Sequence, residues 1–270
     1  MKKTIFLSVI TTILFWVYIR IFFKLYDIIG IERYVNKDVF SISLKIAGIC
    51  FLILYFKKFK ILMKFHLKYF IYLFPLLLLD FFCFKDIINY FSYTKNDLKS
   101  YDIQIKIIVY FVNAIVEEVL FRGIILSFFI KHFVVNHKKN FILYSSFASS
   151  VLFGLFHAMN FFTNEFEMSS KAVIYQIYAS FAVGFLLCII YLKTRNLLYI
   201  ILSHFIYNFY LYLSQISYKH SEFQSSQSNF NLISVLIALL YFGLPLFVGL
   251  IYFYLFVNKD QELKNLLGKI

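Results

Sequence analysis

Residues 113–123 read Asn113-Ala-Ile-Val-Glu117-Glu118-Val-Leu-Phe-Arg122-Gly123. Two carboxylates and a guanidinium therefore sit inside an apolar run, 103–130, whose length and character are those of a membrane-embedded helix. A single charge at mid-bilayer costs about 2.5–3.5 kcal/mol on insertion scales. Three within six residues must face a protein interior or a wet cavity, and this restricts the fold more than any other feature of the chain.

Helix geometry separates their roles. Glu118 and Arg122 are four apart with the acid N-terminal, the favourable order for an ion pair on one face. Glu117 lies about 100° around the helix from Glu118. On a regular helix it shares its face with Asn113 and Phe121, not with Arg122. Glu117 is thus the carboxylate without an in-helix partner.

The chain is 270 residues long and 61% hydrophobic, against about 45–50% for a soluble domain. With only two prolines and eight glycines, long helices are expected rather than alternating barrel strands. The predicted class is all-α, a polytopic integral membrane protein. The net charge of +13 is scattered between apolar spans and forms no stripe. It reads as topology signals and contacts with anionic membrane lipid, not as a nucleic-acid surface. Cys50, Cys83 and Cys188 lie in apolar spans at unrelated spacings, which implies neither a disulfide framework nor a zinc knuckle. The N-terminus has the Lys2-Lys3 and apolar core of a signal peptide. It lacks a small-residue cleavage site and continues through Arg20 and Lys24, so a retained first span is expected.

About eight spans are expected, at 5–23, 39–56, 67–84 with a kink at Pro75, 103–130, 141–162, 172–192, 197–216 and 232–257. A polar interfacial stretch at 85–102 separates the third and fourth. Grouped by content, 1–102 holds the N-terminal helices, 103–216 a core with the chemically interesting residues, and 217–270 a last span and tail. Lys2/Lys3, Lys57/Lys58/Lys60/Lys64, Lys131/Lys138/Lys139, Lys193/Arg195 and Lys259/Lys264/Lys269 fall on one side. The positive-inside rule places that side, and both termini, in the cytoplasm.

Two further spans carry polar groups that do not belong in lipid. One holds Phe153-Gly-Leu-Phe-His157; the other holds His204-Phe-Ile-Tyr-Asn208, where His204 and Asn208 share a helix face. Gly154 permits close helix approach. Asp80 and Lys45 read as solvated or snorkelling residues near span ends, and His66, His132, His137 and His220 as solvated. A carboxylate, two histidines and an amide in hydrocarbon form the set needed for water-mediated hydrolysis. A carboxylate in an apolar site can act as general base near neutral pH. A histidine can orient the water or pass its proton to the leaving amine, and a histidine–amide pair can hold an oxyanion. No serine or cysteine has a nucleophile's setting, which disfavours an acyl-enzyme.

At these residues the sequence resembles the CPBP family of intramembrane proteases, which includes the CAAX prenyl proteases and the bacterial Abi proteins. The matching motifs are Glu117-Glu118-x-x-x-Arg122, Phe153-x-x-x-His157 and His204-x-x-x-Asn208, in the expected order and with no departure. Phe121, Gly123 and the Lys193-Thr-Arg-Asn-Leu-Leu run agree as well. The resemblance covers residues 103–209 and implies an eight-helix fold with a cavity inside the bilayer. It implies that Glu117 activates water with His157 as partner, that His204 and Asn208 stabilise the oxyanion, and that Glu118 and Arg122 are supporting. Glu117, His157 and His204 could alternatively ligate zinc with one open position. Asn208, a poor zinc ligand and a good oxyanion donor, favours a metal-free site.

The expected function is therefore an intramembrane endopeptidase acting on a peptide or membrane protein. The Phe, Lys, Ile, Tyr and Asn bias fits an AT-rich bacterial genome, hence a bacterial plasma membrane. Pheromone or bacteriocin processing and self-immunity are the roles the resemblance suggests there. The rival from another class is a non-catalytic immunity or scaffold protein with the same fold. A proton-coupled transporter is disfavoured by the lack of repeat halves and paired broken helices.

Overall fold

The computed structural model describes residues 2–29, 36–55, 71–77, 80–81, 100–136, 140–162, 170–220 and 243–267. Every element among them is helical. We number the α-helices α1 (Lys2–Ile29), α2 (Lys37–Tyr55), α3 (Ser100–Glu118), α4 (Leu126–Val135), α5 (Phe141–Phe156), α6 (Ser170–Thr194), α7 (Leu197–His220), α8 (243–252) and α9 (Gln261–Leu267). A π-helical segment, Val119–Ile125, joins α3 to α4, and a 3₁₀ turn, His157–Phe162, follows α5. A second π segment, Phe253–Val257, continues α8.

The all-α expectation holds for these residues. The span expected at 103–130 is longer, because α3, the π segment and α4 form one helical run from Ser100 to Val135. At 1.5 Å per residue that run is roughly 50 Å long and overshoots an apolar layer of about 30 Å. Two helices, Phe141–Phe161 and Ala172–Thr194, are long and apolar enough to cross a membrane, with Leu197–Leu213 and Gly243–Val257 as shorter apolar helices. Half of the expected third span, the first part of the eighth and nearly all of 85–102 lie outside the described residues. Pro75 occupies the first turn of a short α segment that follows a 3₁₀ turn at 71–73, where its missing N–H costs nothing.

The exterior is apolar, and the largely apolar core encloses polar and charged groups. Phe6, Leu14, Phe51, Ile71, Phe74 and Phe247 are all exposed, while Glu118, Arg122, Ser145, Ser146, Ser149 and Thr194 are buried. A monomer in water does not leave so many large apolar side chains uncovered; hydrocarbon removes the penalty. The protein is a membrane protein by this distribution.

The most extensive helix pairing is α5 against α6. Small residues on α5 let the backbones approach, as at membrane helix interfaces generally. A Cβ at Gly154 would lie 2.7 Å from the Ile177 carbonyl oxygen and 3.0 Å from Phe181 Cβ. The first neighbour is backbone and cannot rotate away. Gly154→Ala is therefore expected to cost about 1–3 kcal/mol, read as a lowered melting temperature of the detergent-solubilised protein. An unchanged melting temperature would mean that the two helices part without cost.

At the far end of α6 the chain turns sharply into α7. Arg195 takes φ 54°, and Asn196 caps α7 by accepting the Leu198 N–H on Oδ1 at 2.9 Å. Lys193 and Arg195, expected as solvated topology charges, are instead buried. Lys193 Nζ donates to Asp260 Oδ2 at 2.8 Å, and Arg195 Nη1 to Glu262 Oε1 at 2.7 Å. Burial in this way demands partners, and α9 supplies them.

Burial alone would push the Asp260 carboxyl up. The Lys193 hydrogen bond, the Leu263 N–H and the charges of Lys193 and Arg195 outweigh it and hold the carboxyl below its ordinary value. A carboxylate lowered in the folded state adds stability above its unfolded pKa and loses it as pH falls through the folded one. Docking of α9 should hold at neutral pH and weaken under acid, seen as faster limited proteolysis after residue 257. Asp260→Asn should show that faster proteolysis already at pH 7.

Candidate active site

The site begins where α3 loses its regular winding. Between Val119 and Ile125 the helix is π, with the Leu126 N–H bonded to the Phe121 carbonyl five residues back. Such segments frequently mark functional sites. The Phe121 carbonyl is also reached by the Ser149 hydroxyl of α5, at 2.9 Å. Regular winding predicted that Glu117 shares its face with both Asn113 and Phe121. Asn113 and Glu117 do line one cavity together, but Phe121 turns inward. It is wholly buried and packs edge-on against Phe153 and Phe156. The extra residue in the turn is the reason, and nothing in the local sequence announces it.

The expected ion pair forms. Arg122 Nε lies 3.0 Å from Glu118 Oε2, with both side chains buried. Arg122 also donates through Nη2 to the Gly184 carbonyl of α6 at 3.3 Å, and its guanidinium stacks on the Phe153 ring with Cζ 4.4 Å from the centroid. Gly184 leaves room for this, since a Cβ there would meet Phe153 Cδ1 at 2.7 Å.

Glu118 has a second partner. Its Oε1 lies 2.7 Å from His204 Nδ1 of α7. Arg122, Glu118 and His204 thus form a buried relay across two helices, in which the carboxylate fixes the imidazole through one nitrogen. The other nitrogen, Nε2, then faces Glu117 Oε2 at 3.6 Å. That distance is too long for a direct hydrogen bond. Glu117 Oε2 is itself buried with no hydrogen-bond partner. Glu117 is therefore a half-open carboxylate aimed at an immobilised imidazole.

Phe153 gathers the rest. Its ring centroid is 5.1 Å from that of His157 and 5.8 Å from that of His204, both in T-shaped contact. One aromatic ring therefore touches Arg122 and both histidines. His157 is the first residue of the 3₁₀ turn closing α5. It lines a cavity of about 310 Å³ together with Glu117, Asn113, Asn160 and Asn208. The sequence separates His157 and His204 in depth along their spans, and the structure brings both rings to Phe153 all the same. His204 and Asn208 meet different surroundings. His204 is anchored to Glu118, while Asn208 stands on the cavity wall.

Two residues read as solvated or snorkelling belong here. Lys45 of α2 donates to Asn113 Oδ1 at 2.7 Å, one turn before Glu117, and lines the cavity. Asp80 accepts the Ser203 hydroxyl at 2.8 Å, immediately before His204. Each was visible as a charge inside an apolar span, but its partner lies more than sixty residues away. His132, also expected to be solvated, is buried and contacts the Asn136 amide. Among the described residues no group of three His, Cys, Asp or Glu side chains is placed to hold a metal ion.

No curated protein and no solved structure matches the chain. A family model does, and its span takes in all three motifs and every helix that contributes to the relay. Over residues 100–210 the chain matches the family described as type II CAAX prenyl endopeptidase Rce1-like.

Proposed function

We propose that the chain is an intramembrane endopeptidase in which Glu117 activates water for attack on a peptide bond at the cavity wall. The observation that carries this reading is Glu117 lining one cavity with His157 and Asn208, while its buried, unbonded Oε2 lies 3.6 Å from His204 Nε2. A water on the cavity side of Glu117 gives its proton to that carboxylate as its oxygen bonds to the scissile carbonyl carbon. The resulting oxyanion takes hydrogen bonds from the Asn208 amide and a histidine N–H. When the C–N bond breaks, the proton held by Glu117 passes to the leaving amine, with His157 as relay. The new acid loses its own proton to solvent. Glu118 and Arg122 act one step away by holding His204 in place.

The reaction is metal-free in this reading. Reconstituted in vesicles, the protein should keep its rate after incubation with o-phenanthroline and removal of the chelate. A loss restored by added zinc would replace this mechanism with a metal-dependent one. The reading itself is tested by mass spectrometry of proteoliposomes incubated with solubilised membrane proteins of the host. New peptide termini should accumulate with wild-type protein and not with Glu117→Gln. Their absence in both would leave the fold serving a binding role, such as immunity or scaffolding.

A further inference from the structure

Glu117 divides its helical run into two unlike halves. Every residue from Val119 to Ile130 is buried, so beyond Glu117 the run is enclosed by protein. Directly behind the carboxylate stand the Arg122–Glu118–His204 relay and the Phe153 ring. On this run the cavity wall extends from Tyr110 to Leu120 and stops there. Toward Ser100 the half-buried Tyr110, Asn113 and Glu117 face the cavity instead. Tyr110 lies about 10 Å before Glu117 along the axis. Its ring meets that of Tyr212 of α7 with centroids 5.2 Å apart, and Asn160 donates to Gln176 of α6 at 2.8 Å. All four residues line the cavity, and all lie toward the end of the bundle where α3 and α6 begin and α7 finishes.

The two ends of the bundle differ in charge. Lys193 and Arg195 lie where α6 passes into α7, and Asp260, held by Lys193, brings Lys259 and Lys264 to the same end. Lys131 near the end of α4, and Lys138 and Lys139 just before α5, belong there too. The reason is that α5 runs antiparallel to α6, with Ser150 against Cys188 and Asn160 against Gln176. Asp260 and Glu262 offset part of this charge, but acids weigh little in the positive-inside rule. At the opposite end acids match bases in the sequence: Lys37 and Lys106 with Asp38 and Asp102, Arg33 with Glu32, and Lys171 with Glu165 and Glu167. The rule therefore puts the basic end in the cytoplasm and the cavity mouth on the outer side.

We infer that substrate reaches Glu117 from the extracytoplasmic side of the membrane, so its substrates are peptide segments exposed on, or inserted from, that face. The cut rests on the endopeptidase reading; the side of entry rests on packing and charge. A cytoplasmic tail would have to break through Val119–Ile130 and the buried Glu118–Arg122 pair, which is costly to part. The wall between mouth and carboxylate carries the amides of Asn113, Asn160, Gln176 and Asn208. Such groups suit an extended main chain, whose polar atoms need partners once they leave water.

Access and cleavage are tested separately with the full-length protein. A small membrane-impermeant methanethiosulfonate is added to spheroplasts, and thiols left unmodified are read on gels with polyethylene-glycol maleimide after denaturation. Gln176→Cys and Met159→Cys, both on the cavity wall, should be modified from outside, above the wild-type background from Cys50, Cys83 and Cys188. Gln261→Cys of α9, exposed at the basic end, should be modified only after permeabilisation. Modification of Gln261→Cys from outside, or its failure at both Gln176→Cys and Met159→Cys, overturns the side of entry. For cleavage, right-side-out and inverted membrane vesicles receive the same mixture of impermeant synthetic peptides. New termini should appear with right-side-out vesicles and vanish with Glu117→Gln. Labelling from outside with no cleavage in either preparation keeps the side of entry and sinks the protease reading. Cleavage by inverted vesicles as fast as by right-side-out ones, or faster, keeps the protease and overturns the side of entry.

Discussion

Glu117→Gln should lower kcat/KM for peptide cleavage by about 10²–10⁴-fold, the contribution expected of a positioned general base. The substitution keeps the side chain's shape, so the helix still packs and the melting temperature should barely move. What changes is the chemistry at one oxygen. In the wild type a carboxylate oxygen with no hydrogen-bond donor faces His204 Nε2; in the variant an amide cannot take the water's proton. Glu118→Gln offers the contrast. That residue meets His204 at Nδ1 and Arg122 at Nε, so its loss should lower both rate and stability. A Glu117→Gln protein that folds and still cleaves at the wild-type rate would remove Glu117 from the mechanism.

Arg122→Met should give the largest loss of stability. The guanidinium is buried and holds three things at once: the Glu118 carboxylate, the Gly184 carbonyl and the face of Phe153. Truncation leaves a buried carboxylate without its cation, a change that costs about 3–5 kcal/mol in comparable pairs. Thermal unfolding in detergent should fall accordingly, and the loss should pass to His204 through Glu118. The double variant Glu118→Gln/Arg122→Met removes the stranded charge and should regain much of the stability. It should not regain activity, because His204 no longer has a carboxylate at Nδ1. Recovery of both would show that the relay only stabilises the fold. No recovery of stability would show that Arg122 matters through Phe153 and Gly184 instead.

Much of this relay could be read from spacing. Glu118 and Arg122 four apart on an apolar helix specify a pair, and the pair is there at 3.0 Å. That leaves Glu117 as the odd carboxylate, and its exposure to the cavity follows. The role of Phe153 was legible only as a recurring letter before His157. The stacking of its ring under Arg122 and between two histidines depends on the π segment, α5, α6 and α7 meeting around it. The π segment was not legible at all, because winding by one extra residue is decided by packing of Phe121 and by Ser149 reaching its carbonyl.

The charges were read least well. Lys193 and Arg195 read as topology signals because they sit in a short connection between apolar spans. Asp260 and Glu262, more than sixty residues on, do so. Lys45 and Asp80 follow the same pattern. A charge within an apolar span tells the reader that a partner exists, while its identity is a matter of tertiary contact. The count of about eight spans is in the same position: among the described residues, Phe141–Phe161 and Ala172–Thr194 are the helices long and apolar enough to cross a bilayer.

The measurement that bears most directly on the account is comparative peptidomics of membranes and medium from cells carrying the wild type or Glu117→Gln at matched protein levels. The account predicts defined peptides, or shortened membrane proteins, that are present with the wild type and absent with the variant. Matching profiles, in cells where deleting the gene gives a phenotype that Glu117→Gln rescues, would contradict it and make binding the function of this fold.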